Sequence, residues 1–389
     1  MKIKSVKSLS DLRGKKVLVR CDFNVAIKGK KIGDDFKIVQ SLPTIRYLTA
    51  KGAKVIIITH LGRPQGKKVA SCKLSVISSK LTKLLGKRVT YVEDCAGKRA
   101  RDAAEKMKDG QIVLLENLRF YKDEEENNRE FAKGLAELAD IYVNDALAAS
   151  HRKHASVCAV QEFLPSYAGL LLEKEVLNLQ KVLHPVRPFV IIIGGAKLET
   201  KVPVMKNLRK KTDAVLIGGM ITYDFLAAKK WSTGKYKVEK SQKRLAKRLL
   251  YRNVILPLDF VVSNKTNGRG VVRVVNAQEL PKNFWQFDIG PQTIREYARH
   301  IKSAKTIIWN GPMGMFESEH FKHGTLAVAR LVAAVSSGRA FGIVGGGETA
   351  TALKQTKMIE YVDFVSTSGG AMLEYLAGNK LPGLKNIIK

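Results

Sequence analysis

The chain has 389 residues, with 68 Lys and Arg against 35 Asp and Glu and a formal net charge of +33. This length exceeds the size at which one hydrophobic core normally keeps growing, so two domains are expected. No stretch approaches the roughly 18 uninterrupted apolar residues of a membrane span, and the first residues lack the apolar core of a signal peptide. The four cysteines form no Cys-x-x-Cys pair, which favours reduced thiols and a cytoplasmic protein.

The excess of positive charge attracts anions, whether nucleic acid or small phosphorylated metabolites. However, the basic residues are scattered along the chain, and an acidic run at 122–130 interrupts them. We therefore interpret the excess mainly as a solvated, Lys-rich surface, and nucleic-acid binding is disfavoured.

Short β-branched runs alternate with helical patterns along the chain, which is typical of βαβ units and parallel sheets. In the first half, the predicted strands lie within 16–24, 53–64, 88–94, 111–120 and 140–147. In the second half, they lie within 189–197, 214–220, 253–262, 305–314, 340–349 and 362–370. The alternation predicts an α/β fold with two Rossmann-like parallel-sheet domains joined by a linking helix and hinge.

The linking helix is predicted over 168–188, between an N-terminal domain at 1–167 and a C-terminal domain at 189–375. Four apolar residues recur on one face of this helical pattern: Leu172, Val176, Leu179 and Leu183. His184 and Pro185 then end it. A single helix between two ligand-binding domains suggests a hinge that closes them.

Open parallel sheets bind ligands at the carboxyl ends of their strands. In the first half these positions hold polar and charged side chains: Asp22, Asn24, His60, Arg63, Arg119, Asn144 and Asp145, with Arg152 further on. In the second half they are mostly glycines, at 194–195, 218–219, 311, 314, 345–347 and 369–370. Convergent Arg and His suit a small, highly anionic substrate, whereas bare backbone suits the phosphates and base of a nucleotide. No Lys follows the glycines of VGGGET, so the phosphate-binding cation is expected from Lys197, Lys201 or the other domain.

Eight motifs in order make the chain resemble the phosphoglycerate kinase family over nearly its full length. They are VLVRCDFNV (17–25), HLGRP (60–64), LLENLRF (114–120), VNDALAASHR (143–152), GGAKLETK (194–201), WNGPMGMFE (309–317), VGGGETATA (344–352) and STSGGAMLE (366–374). The resemblance implies a two-lobed monomer that, with Mg²⁺, reversibly transfers a phosphoryl group from 1,3-bisphosphoglycerate to ADP, giving 3-phosphoglycerate and ATP. It implies in-line transfer in a closed interdomain cleft, phosphoglycerate on the N-terminal domain and nucleotide on the C-terminal domain. It also implies that residues from about 376 to 389 join the N-terminal domain.

The resemblance assigns roles to individual residues. The substrate-binding residues are Asp22, Asn24, Lys37, His60, Arg63, Arg119 and Arg152. The nucleotide-binding residues are Lys201, Gly218, Gly219, Asn310, Glu317, Gly346, Gly347, Glu348 and Thr349, with Glu348 also the metal ligand. The catalytic residues are Lys37, Lys197, Lys201, Gly347 and Gly370.

Four positions depart from the family pattern. Lys37 stands where the family has an Arg that reaches the transferring phosphoryl group, and Lys lacks the planar fork that binds two oxygens at once. Glu348 replaces the usual Asp, Met220 stands at a normally small position beside the adenine, and Ser368 replaces a glycine. If Lys37 acts in the same place as that Arg, slower turnover is expected.

Because several site positions differ together, three functions are weighed. The favoured one is an active phosphoglycerate kinase with a retuned site. The second is a weakly active or inactive relative that still binds phosphoglycerate and nucleotide. The third, least favoured, is a protein that binds RNA or DNA through its basic surface.

Overall fold

The computed structural model describes residues 2–29, 31–266 and 270–388. It divides into two compact units, one formed by Met1–Leu177 with Lys380–Lys389 and the other by Asn178–Asn379. Each unit has its own six-stranded parallel sheet, which confirms the predicted α/β fold with two parallel-sheet domains. No helix in the described ranges is long and apolar enough to cross a membrane.

The parallel sheet of the first unit carries its core on both faces. The strands of the first unit are β1 (Lys16–Arg20), β2 (Ile27–Lys28), β3 (Lys31–Ile32), β4 (Lys54–Ile58), β5 (Val89–Val92), β6 (Ile112–Leu115), β7 (Ile141–Asn144) and β8 (Ser166–Ala168). Its helices are α1 (Phe36–Ala50), α2 (Ser75–Leu85), α3 (Lys98–Glu105), α4 (Lys122–Glu125) and α5 (Arg129–Ala136). The sheet order is β5-β6-β4-β1-β7-β8, while β2 and β3 pair separately. Val17 and Val19 of β1 pack in one core cluster and Leu18 in another, because successive side chains of a strand point to opposite faces.

The next helix, α6 (Leu170–Leu183), is shorter than the segment predicted from the sequence. Its start is displaced because residues 166–168 form β8. Asp145, just after β7, accepts hydrogen bonds at Oδ1 from the backbone N–H groups of Leu171 at 3.0 Å and Leu172 at 3.3 Å. Those N–H groups lie in the first turn of α6, so the Asp145 carboxylate caps it.

The second unit combines its parallel sheet with a smaller antiparallel one. Its strands are β9 (Phe189–Ile193), β10 (Ala214–Ile217), β11 (Val254–Ile255), β12 (Asp259–Ser263), β13 (Val272–Asn276), β14 (Trp285–Ile289), β15 (Thr306–Asn310), β16 (Phe341–Gly345) and β17 (Phe364–Ser366). Its helices are α7 (Val202–Leu208), α8 (Thr222–Ala228), α9 (Lys240–Lys247), α10 (Pro291–Ser303), α11 (His323–Ser336), α12 (Gly347–Gln355) and α13 (Gly369–Leu376). The parallel order is β11-β10-β9-β15-β16-β17, and the antiparallel order is β13-β12-β14.

The prediction of one parallel strand over 253–262 was wrong. The segment forms two strands: β11 joins the parallel sheet, and β12 pairs antiparallel with β13 and β14. Pro257 lies between them, and a proline has no N–H to give to a sheet ladder. The chain therefore leaves the parallel sheet at this point and begins a second one.

Candidate active site

Charged side chains gather at the carboxyl ends of neighbouring strands in the first unit. Asp22 follows β1, His60 follows β4 and Arg119 follows β6, while Arg152 lies beyond β7. These four strands are adjacent in the order β6-β4-β1-β7. The sheet thus brings to one edge the residues that the sequence predicted as substrate ligands. We call Lys37, His60, Arg63, Arg119 and Arg152 the basic cluster.

Lys37 belongs to this edge through an ion pair. Its Nζ lies 2.7 Å from Oδ2 of Asp22, and the Lys37 side chain is 30% exposed. The other carboxylate oxygen, Oδ1, accepts a hydrogen bond from the backbone N–H of Asn24 at 3.1 Å. Asn24 in turn accepts at its side-chain oxygen from the backbone N–H of Gly62 at 2.9 Å. The loops after β1 and β4 are therefore tied together beside Lys37.

Arg119 differs from the other cationic members of the basic cluster because it is buried, with 2% exposure. Its Nη1 donates to the carbonyl oxygen of Gly62 at 2.7 Å, and its Nε lies 3.2 Å from Oε1 of Glu125. Arg63, on the same loop as Gly62, is exposed. Arg119 thus shapes the loop that presents Arg63, a contact that sequence reasoning did not reveal.

The positive groups of the first unit disfavour one another's charge. Burial, followed by the charges of Arg20 and Arg152, lowers the pKa of His60 well below its ordinary value. Burial and then the charge of Arg63 lower the pKa of Arg152. Burial, with Arg20 and Arg152, also lowers the pKa of His154 to about 4. A bound anion relieves such repulsion, so the basic cluster favours an anionic ligand.

Gly194, after β9, and Gly218 and Gly219, after β10, leave no room for side chains. A Cβ on Gly194 would lie 2.0 Å from the carbonyl oxygen of Pro312, and a Cβ on Gly218 would lie 2.5 Å from Sδ of Met313. Gly219 has a φ of +64°, in the left-handed region that favours glycine. These glycines are required by the packing of the loops themselves.

Gly347 and Gly370 are different, because a Cβ on either would meet nothing within 4 Å. They lie in the first turns of α12 and α13, where backbone N–H groups lack partners inside the helix. Next to them, Gly346 has a φ of +99°, and Thr349 accepts at Oγ1 from the backbone N–H of Gly311 at 2.9 Å. The open space over Gly347 and Gly370 lets an anion approach the two helix N-termini.

Lys201 supplies a cation beside these helix ends. Its Nζ donates to the side-chain oxygen of Asn310, and the Asn310 amide nitrogen donates to the carbonyl oxygen of Gly345 at 2.8 Å. Burial lowers the pKa of Lys201 to about 8, while the charge of Glu348 acts in the opposite direction. A partly desolvated ammonium held in this way binds an anion more strongly than a surface lysine does.

Two adjoining cavities open at this edge of the second unit. One, of about 400 Å³, has a mainly apolar lining that includes Met220, Tyr223, Tyr236, Trp285, Phe287 and Glu317. The other, of about 520 Å³, is lined among others by Lys197, Lys201, Asn310, Gly347, Glu348 and Gly370. Both are also lined by Gly195 and Ala196. An apolar space beside a cationic one matches the base and the phosphates of a nucleotide.

Glu348 is the residue predicted to hold a metal ion, and it is exposed in the first turn of α12. It lines both cavities. Among the residues that the structure describes, no group of three or more His, Cys, Asp or Glu could hold a metal ion. Because Mg²⁺ is usually held by one or two carboxylates together with substrate phosphates and waters, a single accessible carboxylate here fits an ion that arrives with its phosphates.

Sequence reasoning missed Arg20 and the aromatic wall of the apolar cavity. Arg20 ends β1, is 1% exposed and places Nη2 3.0 Å from Nδ1 of His60. A charged residue at the end of an otherwise apolar strand was the available signal. Trp285 and Phe287 lie on β14, a strand that the sequence did not predict. No sequence pattern therefore indicated that these two aromatic residues line the cavity.

Comparison with known proteins agrees with this geometry. The family model described as phosphoglycerate kinase matches residues 6–379. A phosphoglycerate kinase of Borrelia garinii subsp. bavariensis is 44% identical over 396 residues, covering 100% of both chains, and one of Moorella thermoacetica is 45% identical over 381 residues, covering 96% of both. The solved phosphoglycerate kinase of Coxiella burnetii matches with a TM-score of 0.85 at 38% identity, covering 99% of both chains. That of Pyrococcus horikoshii matches with a TM-score of 0.87 at 31% identity, covering 99% of this chain and 98% of the other. With two parallel sheets that carry a basic cluster and a glycine-lined site, the chain belongs to the phosphoglycerate kinase family.

Proposed function

We propose that this protein reversibly transfers a phosphoryl group from 1,3-bisphosphoglycerate to ADP, giving 3-phosphoglycerate and ATP, with phosphoglycerate bound by the first unit and nucleotide by the second. Family membership supports the reaction. The observation that carries the assignment of the substrates is the contrast between the two sheet edges, one lined by cationic side chains and the other by open glycine backbone around Lys201. The protein is further proposed to act as a cytoplasmic monomer, and hinge closure stays a prediction.

In the first unit, Arg63 and Arg152 neutralise the phosphate and carboxylate of phosphoglycerate, whereas Lys37 acts on the phosphoryl group in transfer. Repulsion between Arg63 and Arg152 favours a ligand that carries several negative charges. Asp22 accepts a hydrogen bond from the hydroxyl of the glycerate, and the Asn24 amide NH₂ donates one to its carboxylate. Arg119 acts by holding the loop that carries Arg63.

In the second unit, the base enters the apolar cavity and the ribose meets Glu317 at its rim. The phosphates lie over Gly346 and Gly347 and contact Lys201, with Lys197 on the exposed side of the same cavity. Mg²⁺, held by Glu348 and the nucleotide phosphates, would offset the negative charge of those phosphates. Gly370, in the first turn of α13, offers its N–H to the phosphoryl group being transferred.

None of the described residues that we propose for the site is assigned as a general base, which is consistent with this reaction. When ATP is the donor, the nucleophile is the carboxylate of 3-phosphoglycerate, which is already ionised at neutral pH. Phosphoryl transfer mostly requires positioning of the two substrates and neutralisation of charge. The residues of both units supply these two requirements.

We expect the purified protein to turn over 3-phosphoglycerate and Mg-ATP in an assay that detects 1,3-bisphosphoglycerate through a coupled dehydrogenase. Lys201→Ala, the matched control, removes the partly buried ammonium and should reduce kcat by at least about a hundredfold. Robust turnover that the control loses establishes the kinase. Binding of both substrates without turnover would instead identify a binding relative, and the proposed activity would be wrong.

Lys37 is expected to act on the transferring phosphoryl group. Lys37→Ala should therefore lower kcat far more than it changes KM for 3-phosphoglycerate, because a contact made only in the transition state is lost. Lys37→Arg should give equal or higher kcat, since the guanidinium binds two oxygens at once. Steady-state kinetics at saturating Mg-ATP measures both variants. A normal kcat in Lys37→Ala would remove Lys37 from the mechanism.

Nucleotide affinity should fall as the pH rises through the pKa of Lys201, which burial lowers to about 8. The protonated form predominates at pH 7, and above pH 8 the neutral amine no longer attracts phosphate. The Kd for ADP should therefore rise on the order of tenfold between pH 7 and pH 9.5. Isothermal titration calorimetry measures this rise, and Lys201→Arg, which stays charged, should flatten it. Equal affinity of the native protein at both pH values would contradict a role for the Lys201 charge.

Gly347→Ala should weaken ADP binding without loss of stability, whereas Gly194→Ala should lose stability. A Cβ on Gly347 meets no protein atom within 4 Å, so the melting temperature should hold or rise slightly while the Kd for ADP rises on the order of tenfold. A Cβ on Gly194 would lie 2.0 Å from a backbone carbonyl oxygen, so that variant should lose stability. Differential scanning fluorimetry with ADP titration measures both. Unchanged ADP affinity in a stable Gly347→Ala variant would place the phosphates elsewhere.

A further inference from the structure

A row of buried polar groups lies behind His60 in the first unit. Nη2 of Arg20 lies 3.0 Å from Nδ1 of His60, and Nε of Arg20 donates to Oγ of Ser156 at 3.0 Å. The Ser156 hydroxyl donates to Oε1 of Glu124 at 2.6 Å, and the Ser156 N–H donates to Oε2 at 2.9 Å. Arg20 is 1% exposed and Ser156 and Glu124 are 0% exposed. The row therefore runs inward from His60, which is itself 6% exposed, to a fully buried carboxyl group.

The contact with Arg20 decides which nitrogen of His60 carries the proton. A guanidinium has only donors, so Nδ1 of His60 must accept the hydrogen bond. An imidazole that accepts at Nδ1 carries its proton on Nε2 and is neutral. Among the described residues, Nε2 has no hydrogen-bond partner and offers its proton to a ligand.

The surroundings of His60 favour the same neutral form. Burial is the largest cause of its lowered pKa, followed by the positive charges of Arg20, Arg152 and Lys37 and by His154. These groups come from β1, from the segment after β7 and from α1, and Asp22 is the carboxylate paired with Lys37 on the same edge. His60 therefore differs from the charged members of the basic cluster in the kind of hydrogen bond that it gives.

Each nitrogen of the Arg20 guanidinium contacts another protein atom. Its Nε bonds to Ser156, its Nη1 donates to the carbonyl oxygen of Cys21 and its Nη2 donates to His60. With 1% exposure, it is not accessible to a ligand. Arg20 is thus a positioning residue, and Ser156 and Glu124 fix its orientation in turn.

We propose that Glu124, Ser156 and Arg20 form a relay that holds His60 as a neutral imidazole with its proton on Nε2, so that His60 donates an uncharged hydrogen bond to the anionic ligand of the basic cluster. That this ligand is phosphoglycerate rests on the proposed function. The hydrogen bond then persists at pH values on both sides of 6.5, the ordinary pKa of histidine. The relay itself concerns only residues of the first unit.

The tautomer of His60 can be observed without any activity measurement. In the full-length protein labelled with ¹⁵N-histidine, long-range ¹H–¹⁵N spectra distinguish a protonated Nε2 from a protonated Nδ1, and His60→Gln identifies the His60 signals. We expect the Nε2-protonated form, without titration, from pH 5.5 to pH 8.5. A proton on Nδ1, or titration near pH 6.5, would overturn the relay.

Ser156→Ala tests the middle of the relay, because it removes the acceptor of the Arg20 Nε–H. We expect His60 to populate both tautomers and KM for 3-phosphoglycerate to rise about three- to tenfold, with kcat changed less than about twofold. Ser78→Ala is the matched control, since the Ser78 hydroxyl donates to the carbonyl oxygen of Val89 at 3.2 Å, away from the relay. Its His60 spectrum and its KM should equal those of the native protein.

The outcomes separate the relay from the proposed function. A His60 tautomer in Ser156→Ala equal to that in Ser78→Ala would exclude the relay even if the enzyme turns over. The expected tautomers in a protein that neither binds nor turns over phosphoglycerate would support the relay and contradict the proposed substrate. If Ser156→Ala does not fold, the native spectrum alone still decides the tautomer.

Discussion

Repulsion among positive side chains at the edge of the first sheet is the constraint on which the basic cluster depends. After burial, the charges of Arg20 and Arg152 are the causes that keep His60 neutral, and the charge of Arg63 disfavours that of Arg152. The fold offsets this repulsion with the ion pair between Lys37 and Asp22 and with buried hydrogen bonds below the surface. The remaining electrostatic cost is relieved when an anion binds, so ligand binding and stability are linked in this unit.

The edge of the sheet in the second unit presents mainly backbone groups rather than charged side chains. Its loops carry glycines of two kinds, those packed against neighbouring backbone, as at Gly194, and those with open space above them, as at Gly347. The first kind lets successive loops approach one another closely, and the second leaves N–H groups of helix starts accessible. Because backbone dipoles carry no net charge, the partly buried Lys201 can supply a cation without the crowding found in the first unit. One sheet edge therefore works through side-chain charge and the other through backbone geometry.

Most strands of the two parallel sheets were predictable because they read as apolar runs followed by a polar residue or a glycine, as at His60 after β4, whereas β8 was not predicted. Local pattern could not predict what depends on tertiary packing. The apolar run around Pro257 looked like one strand, and only the pairing partners show that the chain changes sheets there. The role of Arg119 as a substrate ligand stays a prediction, whereas its burial against Gly62 and Glu125 comes from the approach of separate loops and had no local signal. The tautomer of His60 likewise depends on Arg20, a residue 40 positions away in sequence.

Two of the four departures from the family pattern preserve the charge at their positions, and the other two are uncharged side chains. Lys37 keeps a cation in an ion pair with Asp22, and Glu348 keeps an exposed carboxylate at the start of α12. Met220 is 45% exposed in the lining of the apolar cavity, and the Ser368 hydroxyl lies 2.9 Å from that of Ser366. Phosphoryl transfer depends on the charge of the surrounding groups and on where they lie. A substitution that conserves charge therefore changes the length of the side chain and the rate of the reaction rather than abolishing the reaction. This favours an active enzyme with a retuned site over an inactive relative.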